Sequence, residues 1–215
     1  PRSAARPTVA TVNTHCPSDH TTGNGEILAA YPSAEVIASR AIDGAPYKDF
    51  ISESRKSTEE FVASGKASPA QLAEIRRAFA VMDDPAALRA RNPVESSGPR
   101  SIGGRELEVM LATFAATEGD VWLLDRDAGL AIVGDLVVGP VPFMDTACPD
   151  GWRTALEQVA AADWDTLIPG HGEPMTRAEF MSWQSAFNAL VDCGHSTRPV
   201  ETCADGWVRD AGAFI

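Results

Sequence analysis

The stretch His15-Cys16-Pro17-Ser18-Asp19-His20-Thr21-Thr22-Gly23-Asn24 decides the reading of this chain. It follows directly on Val9-Ala10-Thr11-Val12, a short run of β-prone residues. A strand that stops in a polar loop rich in histidine and glycine aims flexible side chains from rigid backbone, a usual arrangement for chemistry. Two later stretches repeat the design. Leu130-Ala131-Ile132-Val133 reads as a strand ending at Gly134-Asp135, and Thr166-Leu167-Ile168 as one ending at Pro169-Gly170-His171-Gly172. Carboxylate and imidazole together are the ligand types that a catalytic zinc ion takes. Loops gathered at one end of a fold would bring Asp19, His20, Asp135 and His171 together.

Between these landmarks the pattern alternates. Gly25 to Tyr31 reads as a short helix and Ala34 to Ala38 as a strand. Residues 45 to 92 look helical. Ser68-Pro69 supplies an N-cap and a proline at the first helical position, and Leu72, Ile75, Phe79 and Met82 recur at helical spacing. Residues 92 to 104 are rich in Pro, Gly and Ser and read as a loop. Leu107 to Ala112 and Asp120 to Asp125 read as strands, Trp152 to Ala162 as an amphipathic helix, and Thr176 to Val191 as a last helix capped by Thr176. Trp152, Trp164 and Trp183 are expected in the core.

Composition limits the function. The 215 residues are 44% hydrophobic and 22% charged, ordinary for a globular chain, with a net charge of −12. That balance argues against nucleic acid or an anionic membrane as the main partner. No apolar run reaches the roughly 20 residues that cross a bilayer. Pro1 to Pro7 lacks the apolar middle of a secretory signal, and the first residue is not Met, which leaves room for an upstream leader or segment. Of the four cysteines, Cys193 and Cys203 read equally as a disulfide in an exported protein or as two thiols in a cytosolic one, so localisation stays open. Cys16 reads as a packing or disulfide residue rather than a nucleophile.

The motifs resemble, in order, those of the metallo-β-lactamase superfamily. Its first motif has the form H-x-H-x-D-H, matched by His15 to His20. Its histidine in a His-Thr-x-Gly-Asp setting is matched by Ala116-Thr117-Glu118-Gly119-Asp120, its Gly-Asp by Gly134-Asp135, and its Pro-Gly-His-Gly by residues 169 to 172. The resemblance runs from about residue 8 to 191. It implies an α/β fold, the four-layer αβ/βα sandwich, here with a helical insertion at about 41 to 100 and a tail from 193 to 215. It also implies hydrolysis of an ester, lactone, amide or thioester in a small-molecule substrate. Asp19, His20 and His171 would ligate one zinc ion, with Asp135 as the shared carboxylate. His15 would belong to a second metal together with residues 17 and 116, but these are Pro17 and Ala116, so one ion is expected. His15 would then serve as general acid or base beside Asp19 in catalysis. Asp120 is expected to be a structural hydrogen-bond partner.

Two consequences follow from the resemblance. Several strands precede the first motif in the family, whereas here the motif starts about a dozen residues in; a second polypeptide or an upstream segment is expected to supply them. The losses at positions 17 and 116 also admit a silent relative that binds a small molecule or a partner subunit in the old cleft.

Overall fold

A computed structural model describes residues 9–15, 18–43, 45–83, 90–139 and 141–214, with backbone alone at 18, 42, 43, 45–47, 50 and 81. The chain forms two compact units: residues 1–95 with 101–105, and residues 96–100 with 106–215.

The N-terminal unit is built on three parallel strands, β1 (Ala10–Val12), β2 (Glu35–Ser39) and β3 (Asn92–Val94), in that spatial order. Thr11 lies opposite Val36, and Ala38 opposite Pro93. Parallel neighbours need long crossovers. The first carries α1 (Ser18–Thr21) and α2 (Asn24–Ala30); the second carries α3 (Ala45–Ala63) and α4 (Pro69–Met82). In β2 every residue after Glu35 is buried, the pattern of a strand covered on both faces. Ser68 caps α4 as its sequence predicts: Gln71 N–H donates to Ser68 Oγ, and Ser68 N–H donates to Gln71 Oε1. The predicted stripe Leu72, Ile75, Phe79, Met82 is only half-buried, and among the described residues of α3 and α4 no side chain is fully buried.

The C-terminal unit holds a six-stranded sheet in the order β4 (Gly98–Ile102), β5 (Arg105–Thr113), β6 (Gly119–Asp125), β7 (Leu130–Val138), β8 (Thr166–His171), β9 (Met175–Thr176). β5, β6 and β7 are antiparallel neighbours; β7 and β8 are parallel, joined through α5 (Pro149–Ala161). α6 (Arg177–Gly194) and α7 (Val200–Ala211) follow. Trp152, Leu156 and Val159 of α5 meet Phe180, Trp183 and Phe187 of α6 in one core with Trp122, Leu136 and Leu167 of the sheet. The expected core tryptophans are there. Each indole N–H finds a carbonyl: Trp152 donates to Leu136 O, Trp164 to Val159 O, and Trp183 to Val138 O, at 2.8–3.0 Å. That satisfies a donor which burial would otherwise penalise.

The local readings need three corrections. Residues 92 to 104, read as a loop, contain β3 and β4. Pro93 misled because proline is excluded only from central strands, and β3 lies at a sheet edge. β7 does not stop at Gly134-Asp135 but runs on to Val138, and β8 includes His171. Finally, residues 200–211 of the expected polar tail form α7, whose Cys203, Trp207 and Ala211 are buried. Cys193 and Cys203 form a disulfide that ties α7 to α6. Among the described residues no helix is long and apolar enough to cross a membrane.

Candidate metal centre

Each unit presents one carboxylate–imidazole pair, Asp19 with His20 and Asp135 with His171. In the N-terminal unit β1 leads to α1, a single helical turn that carries Asp19 and His20 side by side, with Asp19 Oδ2 3.2 Å from His20 Nε2. The His15 ring stacks against His20 at a tilt, centroids 4.1 Å apart, and its Nδ1 lies 3.1 Å from Thr14 Oγ1. His15 is only 3% exposed, His20 is half-buried, and Asp19 faces solvent.

The turn is pinned by a pair of amides that sequence reasoning missed. Asn13 and Asn24 are both buried and bond reciprocally: Asn24 Nδ2 donates to Asn13 Oδ1 at 2.8 Å, and Asn13 Nδ2 donates to Asn24 Oδ1 at 3.1 Å. Asn13 Nδ2 also donates to the His20 carbonyl at 2.6 Å. This clasp joins the end of β1 to the start of α2 and holds His20 between them. An asparagine directly after a β-prone run was its only signal in sequence, and it looks like any turn residue.

In the C-terminal unit Asp135 Oδ2 lies 3.7 Å from His171 Nε2, Asp135 half-buried and His171 exposed. The β7–β8 register shifts on both sides of Gly134, which has φ 54°. A bulge with a left-handed glycine bends the strand and re-aims the next residue, here Asp135. Gly170 completes the fit, because a Cβ there would collide with the Asp135 carboxylate. The Gly-Asp and Pro-Gly-His-Gly signatures are thus two halves of one steric arrangement.

The donor chemistry fits a divalent cation. Two ligands on one tetrahedral ion with bonds of about 2.1 Å stand roughly 3.4 Å apart. The pairs at 3.2 and 3.7 Å bracket that spacing. The two positions where the resemblance expects further histidines, 17 and 116, are different. Ala116 is buried in the hydrophobic core, and Pro17 and Cys16 lie outside the described residues. Beside Ala116, Asp120 is the structural partner that the sequence suggests: its carboxylate accepts from Thr117 N–H at 2.8 Å and from the Thr117 hydroxyl at 3.1 Å.

A family model for the metallo-beta-lactamase superfamily matches residues 4–171. The chain belongs to this superfamily. Its members are typically metal-dependent hydrolases. Among solved structures, the chain is similar to a metallo-beta-lactamase from Pontibacter korlensis, with 14% identity and a TM-score of 0.54 over 84% of this chain and 69% of that one. It is also similar to a metallo-beta-lactamase family protein from Thermus thermophilus, at 16% identity and a TM-score of 0.59, over 86% of this chain and 62% of the other. A third, TTHA1623 in a di-iron-bound form, has 20% identity and a TM-score of 0.52 over 79% and 73%. At such identities the likeness speaks for the fold alone. No curated protein matches the chain closely enough in sequence to carry a function across.

Proposed function

We propose that this superfamily member is a hydrolase working with one divalent metal ion, for which Asp19, His20, Asp135 and His171 are the candidate ligands. The observation that carries this reading is the pair of carboxylate–imidazole couples, each with its donor atoms at a spacing that suits one ion. When bound, such an ion supplies Lewis acidity: it polarises a scissile carbonyl and makes water nucleophilic at neutral pH. Zinc suits the mixed nitrogen and oxygen donors, and iron is the competing choice because a relative holds two irons.

The remaining chemistry falls to the chain. In this reading His15, buried against His20 with its Nδ1 beside the Thr14 hydroxyl, takes a proton and returns it to a leaving group. Asn13 and Asn24 hold the turn that carries His20, Asn13 donating to the His20 carbonyl. The bonds open to this chemistry are esters, lactones, amides and thioesters of a small molecule.

One observation favours a second reading. Ala116 packs in the core where the family places a histidine, which suits a silent relative that binds a ligand without turning it over. Metal analysis of dialysed protein separates the two. About one ion per chain, lost when Asp19, His20 and His171 are all changed to Ala, together with turnover of a lactone and ester panel, supports the hydrolase. His15→Ala is expected to keep the ion and lose turnover about a hundredfold. Wild-type protein with neither ion nor turnover would leave the silent relative.

A further inference from the structure

The C-terminal unit exposes large apolar side chains on two segments that are bonded to each other, one of which is also tied to the strand that carries His171. The loop after β7 starts at Gly139, whose N–H donates to the carbonyl of His171 at 2.8 Å. It ends at Cys148, whose N–H donates to Ala115 O at 2.8 Å, while the Thr146 hydroxyl donates to Ala116 O at 3.1 Å. One end is therefore tied to the strand that presents His171, the other to the turn at 114–117. Pro142 is buried as an anchor, yet Val141 and Phe143 on either side of it are 60% and 66% exposed. Phe114, on the turn bonded to residues 146 and 148, is 58% exposed. A Pro-anchored loop does not collapse easily, so these side chains are held out rather than left out.

Phe114 has a second peculiarity. Its φ of 54° makes it the one non-glycine in the left-handed region among the described residues. A bulky aromatic is rarely found there, and an exposed one gives the fold nothing in return. The turn holds it all the same: Phe114 N–H donates to Glu118 O, Ala115 N–H donates to Thr117 O, and Asp120 grips Thr117. Strain kept at an exposed apolar residue points to use rather than to folding. Charge narrows the use. Residues 113–119 and 139–151 contain Glu118, Asp145 and Asp150 and no lysine or arginine, in a chain of net charge −12. A carboxylate or phosphate on a ligand would be repelled here.

We propose that Phe114, Val141 and Phe143 form the rim that seats the apolar arm of a neutral ester or lactone, which excludes anionic carriers as substrates. This rests on the hydrolase reading, but its test does not need turnover. Equilibrium binding of N-butyl- and N-hexyl-2-pyrrolidinone, neutral lactams that resist hydrolysis, is expected to tighten roughly two- to fourfold per added methylene. The slope should vanish in the double variant Val141→Ser, Phe143→Ser, whose melting temperature should be unchanged because both side chains are exposed. Hexanoate, a similar arm with a charge, should bind at least about tenfold more weakly than the hexyl lactam. A slope that is absent in the wild type, or intact in the double variant, overturns the proposal even if esters are hydrolysed. So does a wild-type dimer that dissociates in the double variant, since the rim would then be a contact between two copies. A slope with neither hydrolysis nor bound metal would instead sink the hydrolase reading and leave the rim standing.

Discussion

The two units present similar donor pairs on very different supports. In the C-terminal unit Asp135 and His171 sit on neighbouring strands of a six-stranded sheet, over a core of tryptophan and phenylalanine. In the N-terminal unit Asp19 and His20 sit on one helical turn beside a three-stranded sheet, and the buried set mixes Val36, Ile37 and Val94 with polar Asn13, His15, Thr21, Asn24 and Ser39. One pair is fixed by packing, the other by hydrogen bonds. A packed support resists any single change because many contacts share the load, whereas a clasp of two amides fails when one is removed.

The largest expected effect tests the packed side. Trp183→Ala removes a fully buried ring that stacks on Phe187 and donates to Val138 O, and should cost about 3–5 kcal/mol in denaturant unfolding. Phe79→Ala, in the half-buried stripe of α4, should cost no more than about 1 kcal/mol. Equal losses would erase the contrast between the units. The next effect is the staple. Reducing Cys193–Cys203, or changing Cys203 to Ser, reopens a loop of ten-residue separation and should cost roughly 3 kcal/mol. Limited proteolysis should then cut first between residues 195 and 211. A melting curve indifferent to reductant would mean that α7 is held by Trp207 and Ala211 alone.

The smallest effect compares two helix starts of one design. Thr176 with Glu179 caps α6, and Ser68 with Gln71 caps α4, so Thr176→Ala and Ser68→Ala should each cost about 1 kcal/mol near neutral pH. Acid tells them apart. The Thr176 backbone N–H, and after it the Thr176 hydroxyl, hold the Glu179 carboxyl below the usual range. A carboxyl depressed in the folded state stabilises fully above its unfolded pKa, and that contribution is lost as pH falls through the lower folded value. The difference in melting temperature between wild type and Glu179→Gln should therefore shrink in acid. The difference for Gln71→Ala, where nothing in the box titrates, should not.

Much of the candidate site was legible from chain order. Asp19-His20, Gly134-Asp135 and Pro169 to Gly172 each follow or end a β-prone run, and these residues carry the family resemblance. Helix caps at Ser68 and Thr176 were legible because a cap is a local hydrogen bond between neighbours in sequence. Asn13 was not, because its partner is eleven residues away and an asparagine after a strand fits any turn. Nor was the strand character of residues 92–94 and 98–102, where Pro and Gly outweighed a pairing that only neighbouring strands provide.

The sequence by itself determined which candidate ligands the chain carries and in what order they arrive, since residue type and order are properties of the chain. Tertiary structure alone decided three further things. Gly134 re-aims Asp135 through a bulge and Gly170 makes room for its carboxylate. Cys193 and Cys203 pair rather than stay reduced. Phe114, Val141 and Phe143 stay exposed instead of joining the core. The physical reason is common to all three: each depends on distances between residues far apart in sequence, and those exist only once the sheets and helices have packed.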